Sequence, residues 1–315
     1  MIQYLRLLRL PNVFTALADI SLGFALTWRF TVDQPEKLPW GLLVALGAAS
    51  GFLYVAGMAF NDVFDFDVDR VERPQRPIPA GAISLGTARI LALVLLVLGC
   101  GFAWLSGLAF AGQMATWWKP GVIGTCLAAA ILSYDGWAKQ NFLGPWNMGL
   151  CRVLNVLLGA SAGPAIENGV LLGYSPGTLL VAGGIGLYIV GVTIFAKKEA
   201  EESRAQMLGV GLLVMIAGIV VVGLLPLVEI KMLRTAPTYF WILLALLGIS
   251  IVRRAFAAIQ NPSPKLVQTA VKQAILSLIM FDAAVCLFVM PPWYSLGVVA
   301  LMLPAMFLGR WIYST

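Results

Sequence analysis

Long apolar segments constrain the fold of this chain more than any other feature. A helix needs about 20 mostly apolar residues to cross the hydrocarbon core of a bilayer. The chain is 60% hydrophobic and 11% charged, whereas soluble domains are about 25% charged. The candidate spans are 12–30, 40–60, 84–107, 119–134, 146–165, 177–196, 207–228, 238–256, 267–290 and 293–313.

These segments predict an all-α membrane protein, a multi-pass helical bundle of nine or ten transmembrane helices. The count stays open because segment 119–134 is short and only Pro291 and Pro292 separate the last two segments. We expect residues 1–315 to form a single transmembrane domain. Because helices pack side by side in a bilayer, the length of the chain does not imply two domains.

The distribution of basic residues predicts the orientation. Lys and Arg are enriched in the cytoplasmic loops of membrane proteins. With the N-terminus inside, most of the 21 Lys and Arg residues fall in inner segments, including the loops 61–83, 134–145 and 196–206. We therefore expect an integral inner-membrane or plasma-membrane protein whose N-terminus and active site face the cytoplasm. The net charge of +6 follows from these loops, and no Lys/Arg run with interleaved aromatics indicates nucleic acid.

Residue usage excludes several kinds of chemistry. The chain has no histidine, so His-ligated metals and Ser-His-Asp triads are excluded. Its four cysteines lie in apolar segments without a CxxC spacing, which indicates neither a zinc site nor a disulfide framework.

The most chemically informative stretch is 61–69, which ends the second apolar segment with four aspartates. It contains the pattern Asn-Asp-x-x-Asp-x-x-x-Asp. If the stretch continues the helix, Asp62, Asp65 and Asp69 share one face within about 60°, and Asp67 lies on the other side. Three like charges this close favour proton uptake or cation binding.

Magnesium fits such a carboxylate face. Mg²⁺ takes oxygen ligands, uses one or two carboxylates per ion, and completes its shell with water and substrate phosphates. Arg70, Arg73 and Arg76 follow directly, and arginine matches phosphate oxygens geometrically. The stretch therefore indicates a site for Mg²⁺ and a diphosphate, whereas the alternative is a solvated cap in which Asp and Arg pair with each other.

The motif as a whole resembles a known family. Asn61, the three aspartates, Arg73 and the run Arg76-Pro77-Ile78-Pro79-x-Gly81 are similar to the first signature of the UbiA superfamily of intramembrane prenyltransferases. The segment Arg9-Leu10-Pro11-Asn12 resembles the start of that family's first helix. The resemblance implies a helical bundle with a lipid-facing cavity and Mg²⁺-dependent prenyl transfer. It also implies that Asp62, Asp65 and Asp69 bind the metal and that Asn61 supports them.

A second acidic motif, which the family usually carries after its sixth helix, is altered. The stretch 193–204 has no aspartate, but it contains Lys198 and Glu199, which we expect to contact the substrate. A solvated loop that only orients the helix is the alternative. The departure leaves a second metal ion, and with it turnover, open.

Other polar residues extend the predicted site. Lys139 follows a Tyr134-Asp135 pair and is expected to bind the diphosphate, although a simple loop anchor is an equal alternative. Arg152 and Asn155 lie three residues apart within a span and are expected to face the cavity and bind substrate. Together with the altered second motif, these residues resemble the divergent Ebo-type branch of the UbiA superfamily.

Four further ionisable residues lie within the spans or near the N-terminus. Asp19 and Asp282 are lone acids inside spans, and each needs a partner or a wet cavity; a basic residue is one candidate partner for Asp19. The first residues predict a short amphipathic helix at the membrane surface, with Arg6 and Arg9 directed toward lipid headgroups.

The sequence thus predicts a Mg²⁺-dependent prenyltransferase. An isoprenoid diphosphate is the expected donor, and the expected acceptor is a small, lipophilic aromatic or alcohol. Two other classes remain compatible with the sequence: a non-catalytic isoprenoid-diphosphate binding or transport protein, and a membrane scaffold of a biosynthetic complex. The sequence predicts neither the acceptor's identity, the prenyl chain length nor the oligomeric state.

Overall fold

The fold is helical throughout the part of the chain that the structure describes. The structure is a computed structural model, and it describes residues 2–31, 38–114, 116–163, 170–197, 205–229, 234 and 236–312. The α-helices are α1 (Ile2–Leu7), α2 (Val13–Thr31), α3 (Trp40–Phe64), α4 (Phe66–Glu72), α5 (Leu85–Ala109), α6 (Lys119–Gly136), α7 (Gly144–Ala160), α8 (Pro176–Ala196), α9 (Ala205–Gly223), α10 (Leu225–Val228), α11 (Pro237–Gln260), α12 (Pro264–Val289), α13 (Pro292–Ala300) and α14 (Met302–Trp311).

The all-α multi-pass fold is confirmed. Among the described residues, eight helical segments are long and apolar enough to cross a membrane. The helices α6 and α7, of 18 and 17 residues, complete the set of predicted segments. The last predicted segment consists of two helices, α13 and α14, which meet at Leu301. The protein is therefore an integral membrane protein.

Local sequence explains where several helices begin. Proline is favoured in the first turn of a helix, where its missing N–H group costs nothing. Pro176, Pro237, Pro264 and Pro292 are the first residues of α8, α11, α12 and α13. At the start of α5, the side chain of Ser84 accepts a hydrogen bond from the backbone N–H of Thr87 and caps the helix.

The long helices form a closed ring. Each contacts the next in the order α3, α5, α6, α7, α8, α9, α11 and α12, and α2 closes the ring by contacting both α12 and α3. Helix α2 also crosses to α7, and α12 crosses to α8. Large apolar side chains such as Ile90 and Val97 point outward from α5, where a bilayer would cover them.

The crossing of α2 and α7 depends on glycine. A Cβ atom on Gly159 would lie 2.3 Å from the backbone oxygen of Ile20, so only glycine permits this approach. The close contact brings the polar side chains of α7 against those of α2. The ring also brings the ends of α3 and α6 together beside the start of α2, and the predicted aspartate site lies there.

Candidate active site

The aspartate stretch continues the helix with one interruption. Helix α3 ends at Phe64, Asp65 adopts φ −85° and ψ 2°, and α4 begins at Phe66. The interruption is slight, because the N–H of Asp65 still donates to Asn61 O and the N–H of Asp69 still donates to Asp65 O. Asp67 is exposed on α4, as the helical geometry predicted.

Asp62 and Asp69 converge on one cation. Nη1 of Arg76 lies 2.6 Å from Asp69 Oδ2 and 3.3 Å from Asp62 Oδ1. All three residues are buried, with exposed fractions of 4% for Asp62, 2% for Asp69 and 8% for Arg76. Charged groups buried in this way are stable only when paired. Arg76 reaches back to the aspartates because the chain turns directly after α4, where the N–H of Arg73 donates to Asp69 O and the N–H of Arg76 donates to Arg73 O.

Arg9 is a site residue that sequence reasoning missed. The prediction that Arg9 faces lipid headgroups was wrong: its Nη2 lies 3.1 Å from Asp62 Oδ1 and 3.5 Å from Asn61 Oδ1. The residue adopts the left-handed conformation, with φ 43° and ψ 45°, just before a 3₁₀ turn over Leu10–Asn12. The sequence signal that could have assigned Arg9 to the site was its place in the Arg-Leu-Pro-Asn segment. Arg6, by contrast, is exposed.

The end of α6 contributes a second set of contacts. Nζ of Lys139 lies 2.6 Å from Asp65 Oδ1 as an ion pair, without the angle of a directed hydrogen bond. Asn61 Nδ2 donates to Asp135 Oδ1 at 3.1 Å. Asp135 lies beyond the predicted span 119–134, and burial of its carboxyl raises its pKa to about 7. Sequence reasoning did not assign Asp135 to the site.

These contacts place the loops 61–83 and 134–145 at the same end of the bundle, as predicted. Arg73 is half-buried just past the end of α4. The predicted residues Lys198 and Glu199 lie outside the described residues.

Arg152 and Asn155 contact Asp19 on α2. Arg152 Nη1 donates to Asp19 Oδ2 at 2.8 Å, and Asn155 Nδ2 donates to the same oxygen at 3.0 Å. Arg152 Nη2 also donates to Thr15 Oγ1 at 3.0 Å. The candidate basic partner for Asp19 is therefore Arg152.

Two of the three carboxylates, Asp62 and Asp69, are placed to bind a Mg²⁺ ion. Across the described ranges, no three Asp, Glu, Cys or His side chains are placed to share one metal. Asp62 and Asp69 instead direct oxygens at one cationic nitrogen, while Asp65 pairs with Lys139. An oxygen-only set of two carboxylates, with space in the shell for water and phosphate, is what Mg²⁺ prefers.

Comparison with known proteins identifies the family. The model of the UbiA prenyltransferase family matches residues 21–270. The chain belongs to the UbiA prenyltransferase family. That match covers α3 to α11 completely, including the aspartate stretch and the Asp135–Lys139 turn.

Curated relatives match a shorter part of this UbiA family member. A digeranylgeranylglyceryl phosphate synthase of Saccharolobus solfataricus is 33% identical over 97 residues, which are 31% of this chain and 32% of the relative. The synthase of Metallosphaera sedula is 38% identical over 96 residues, 30% of this chain and 32% of the relative. The chain thus spans about a third of the length of the curated relatives it matches.

Solved structures share the UbiA fold over nearly the whole chain. A UbiA homolog from Archaeoglobus fulgidus bound to DMAPP and Mg²⁺ has a TM-score of 0.56 and 17% identity, covering 95% of this chain and 99% of that one. The apo structure of a UbiA homolog from Aeropyrum pernix K1 has a TM-score of 0.58 and 21% identity, covering 86% and 97%. At these identities, the likeness concerns the fold.

Proposed function

We propose that this protein is a Mg²⁺-dependent intramembrane prenyltransferase, which moves a prenyl group from an isoprenoid diphosphate to a small aromatic or alcohol acceptor. The observation that carries the proposal is the convergence of Asp62 and Asp69 on Arg76, beside the Asp65–Lys139 pair. Such a cluster supplies oxygen ligands for a metal and cationic donors for phosphate. The family membership and the DMAPP and Mg²⁺ bound to the Archaeoglobus fulgidus homolog support it.

The proposed roles follow from charge. Asp62 and Asp69 would hold Mg²⁺, and Asp65 would join them when Lys139 pairs with the diphosphate instead. The ion would neutralise negative charge on the diphosphate when bound. Arg76 and Lys139 already contact these carboxylates, so their cations lie where a metal-bound diphosphate would be. Arg9 also pairs with Asp62, so its guanidinium would lie beside the same metal-bound diphosphate. Arg73 and the sequence-predicted Lys198 would donate further hydrogen bonds to the phosphates. Asn61 would orient Asp62. Glu199, from the altered second motif, would contact the substrate.

The reaction breaks the bond between the allylic carbon and the diphosphate oxygen. The diphosphate leaves with the electron pair, and the cationic side chains stabilise the charge that develops on it. The acceptor's nucleophile forms the new bond to the allylic carbon and loses a proton. The curated relatives are named for a glyceryl phosphate product, which favours an alcohol acceptor over an aromatic one. The bias of basic residues supports a cytoplasmic site.

Arg152 and Asn155 have a different proposed role. Their donors are directed to Asp19 and Thr15 on α2. Asn155 also accepts a hydrogen bond from Ser50 on α3, the helix that carries Asp62. We infer that they position α2 and α3 and do not bind the diphosphate directly.

The test is diphosphate release from labelled geranylgeranyl diphosphate by the purified full-length protein in nanodiscs, with Mg²⁺ or with EDTA. We expect release only with Mg²⁺, and a loss of about 100-fold or more in Asp65→Asn. The matched control is Asp67→Asn, which changes an exposed aspartate two residues away and should release diphosphate normally.

Three outcomes would contradict the proposal. Binding of the labelled donor without release would favour a binding or transport protein. Failure to bind the donor at all would favour a membrane scaffold. An unchanged rate in Asp65→Asn would exclude the proposed metal site.

A further inference from the structure

A second cluster of ionisable groups lies inside the bundle, away from the proposed metal ligands. Asp19 is at the middle of the candidate span Leu10–Trp28, and Asp282 lies within the candidate span Pro264–Val289. Both are completely buried, with exposed fractions of 0%. Helices α2 and α12 pack against each other, and the two carboxyls are close enough to interact electrostatically.

The hydrogen bonds of the two carboxyls are unequal. Asp19 Oδ2 accepts two hydrogen bonds, one from Arg152 and one from Asn155. Within the described part of the chain, no donor reaches Asp19 Oδ1 or either oxygen of Asp282. Three buried carboxyl oxygens therefore lack a donor among the described residues. Ionisation of both acids would be costly, because a buried charge is stable only when it is paired.

The ionisable groups around Asp282 carry an excess of negative charge if both aspartates are ionised. The ionisable groups that face Asp282 are Asp19 on α2, Arg152 on α7 and Cys286 on α12, and Tyr54 on α3 faces Arg152. Arg152 is the one cation among them. Two ionised aspartates would leave a net charge of −1 in the interior, and two acceptors in contact would repel each other.

We propose that Asp19 and Asp282 form a proton-binding site in which one proton is shared by the pair. Asp282 carries the proton and donates a hydrogen bond to Asp19 Oδ1, while Asp19 stays ionised. Asp19 is the ionised partner because Arg152 and Asn155 donate to it, and donors stabilise the charged form. The cluster of Asp19, Arg152 and protonated Asp282 is then neutral.

A proton satisfies this site better than a magnesium ion. Two ionised aspartates, Arg152 and a Mg²⁺ ion would carry a net charge of +1 in the interior, whereas one proton leaves the cluster neutral. A single proton gives Asp282 a donor and Asp19 Oδ1 a partner without any further ligand. The resulting bonds link α2, α7 and α12, and Ser50 extends the network to α3.

The substitution experiment rests on an asymmetry between the two acids. Asp282→Asn replaces a neutral donor with another and should leave the thermal midpoint in nanodiscs within about 2 °C. Asp19→Asn leaves Arg152 without its counter-charge and should lower the midpoint by on the order of 10 °C. The double variant Asp19→Leu, Arg152→Met removes both charges and should recover most of that loss.

Infrared spectroscopy of the wild type tests the proton directly, even where Asp19→Asn does not fold. We expect a carbonyl band of a protonated carboxyl that Asp282→Asn removes. The proposal is overturned if that band persists in Asp282→Asn, or if Asp282→Asn destabilises as strongly as Asp19→Asn. It is also overturned if NaCl, but not choline chloride, stabilises the wild type alone, because a bound cation would then replace the proton.

Discussion

Nη1 of Arg76 lies 2.6 Å from Asp69 Oδ2, so an ion pair joins the loop after α4 to α4 itself. The same nitrogen lies 3.3 Å from Asp62 Oδ1 at the end of α3. One guanidinium therefore links the first and last aspartates of the motif across the break at Asp65. This link holds the two carboxylates together.

The first prediction concerns Arg76 itself. In Arg76→Gln, two buried carboxylates lose their shared cation, and removing one partner of a buried pair costs about 3–5 kcal/mol. We expect a lower thermal midpoint in EDTA and a partial recovery with Mg²⁺ that is larger than the effect of Mg²⁺ on the wild type. Differential scanning fluorimetry in both conditions measures this difference.

The matched control for that experiment is Arg70→Gln, because Arg70 is exposed on α4 and stacks over Phe66. It should keep the wild-type response to Mg²⁺. A wild-type midpoint for Arg76→Gln in EDTA would contradict the bridging role.

Arg9 is the subject of the second prediction. Asparagine tolerates the left-handed conformation of this residue, so Arg9→Asn removes the guanidinium without adding backbone strain. We expect prenyl transfer to fall by about 10- to 100-fold, because Asp62 loses a buried partner and the diphosphate loses a donor. Steady-state kinetics with a labelled donor measure the loss. Arg6→Asn, at an exposed position of α1, should retain the wild-type rate; equal losses in both variants would point to a general effect of charge at the membrane surface.

The contact between Asn61 and Asp135 gives the third prediction. Asp135→Leu removes the acceptor of the Asn61 amide and should reduce prenyl transfer by about 10-fold or more, because small displacements in a site are costly. Asp135→Asn still offers an acceptor oxygen and should lose much less. The ratio of the two rates is the decisive measurement. Similar losses in both variants would show that the carboxylate charge matters, and not the hydrogen bond.

The fourth prediction tests the packing of α7 against α2. Alanine at Gly159 places its Cβ 2.3 Å from the oxygen of Ile20, and such overpacking costs about 1–3 kcal/mol or more. A Cβ on Gly183 of α8 would meet no atom within 4 Å, so Gly183→Ala should be neutral or slightly stabilising. Thermal midpoints of the two variants in the same detergent make the comparison. A Gly159→Ala variant as stable as Gly183→Ala would contradict the close crossing.

The sequence alone was sufficient for the membrane fold and for the motif. Apolar segments of about 20 residues are local, and a bilayer leaves helices as the only structure that satisfies their backbone. The aspartate spacing is also local, so the shared position of Asp62 and Asp69 followed from helical geometry. The pairing of Asp65 with Lys139 did not follow, because Lys139 comes from the distant turn after α6.

Only the tertiary structure decided the partners of these groups. Arg9 and Asp62 are 53 residues apart in the chain, Asn61 and Asp135 are 74 apart, and Asp19 and Arg152 are 133 apart. No local pattern specifies such pairs, because they form where the ring of helices brings helix ends and spans together. The sequence determined that charged residues lie in and beside the membrane. The fold determined which charges neutralise one another, because burial makes each unpaired charge costly.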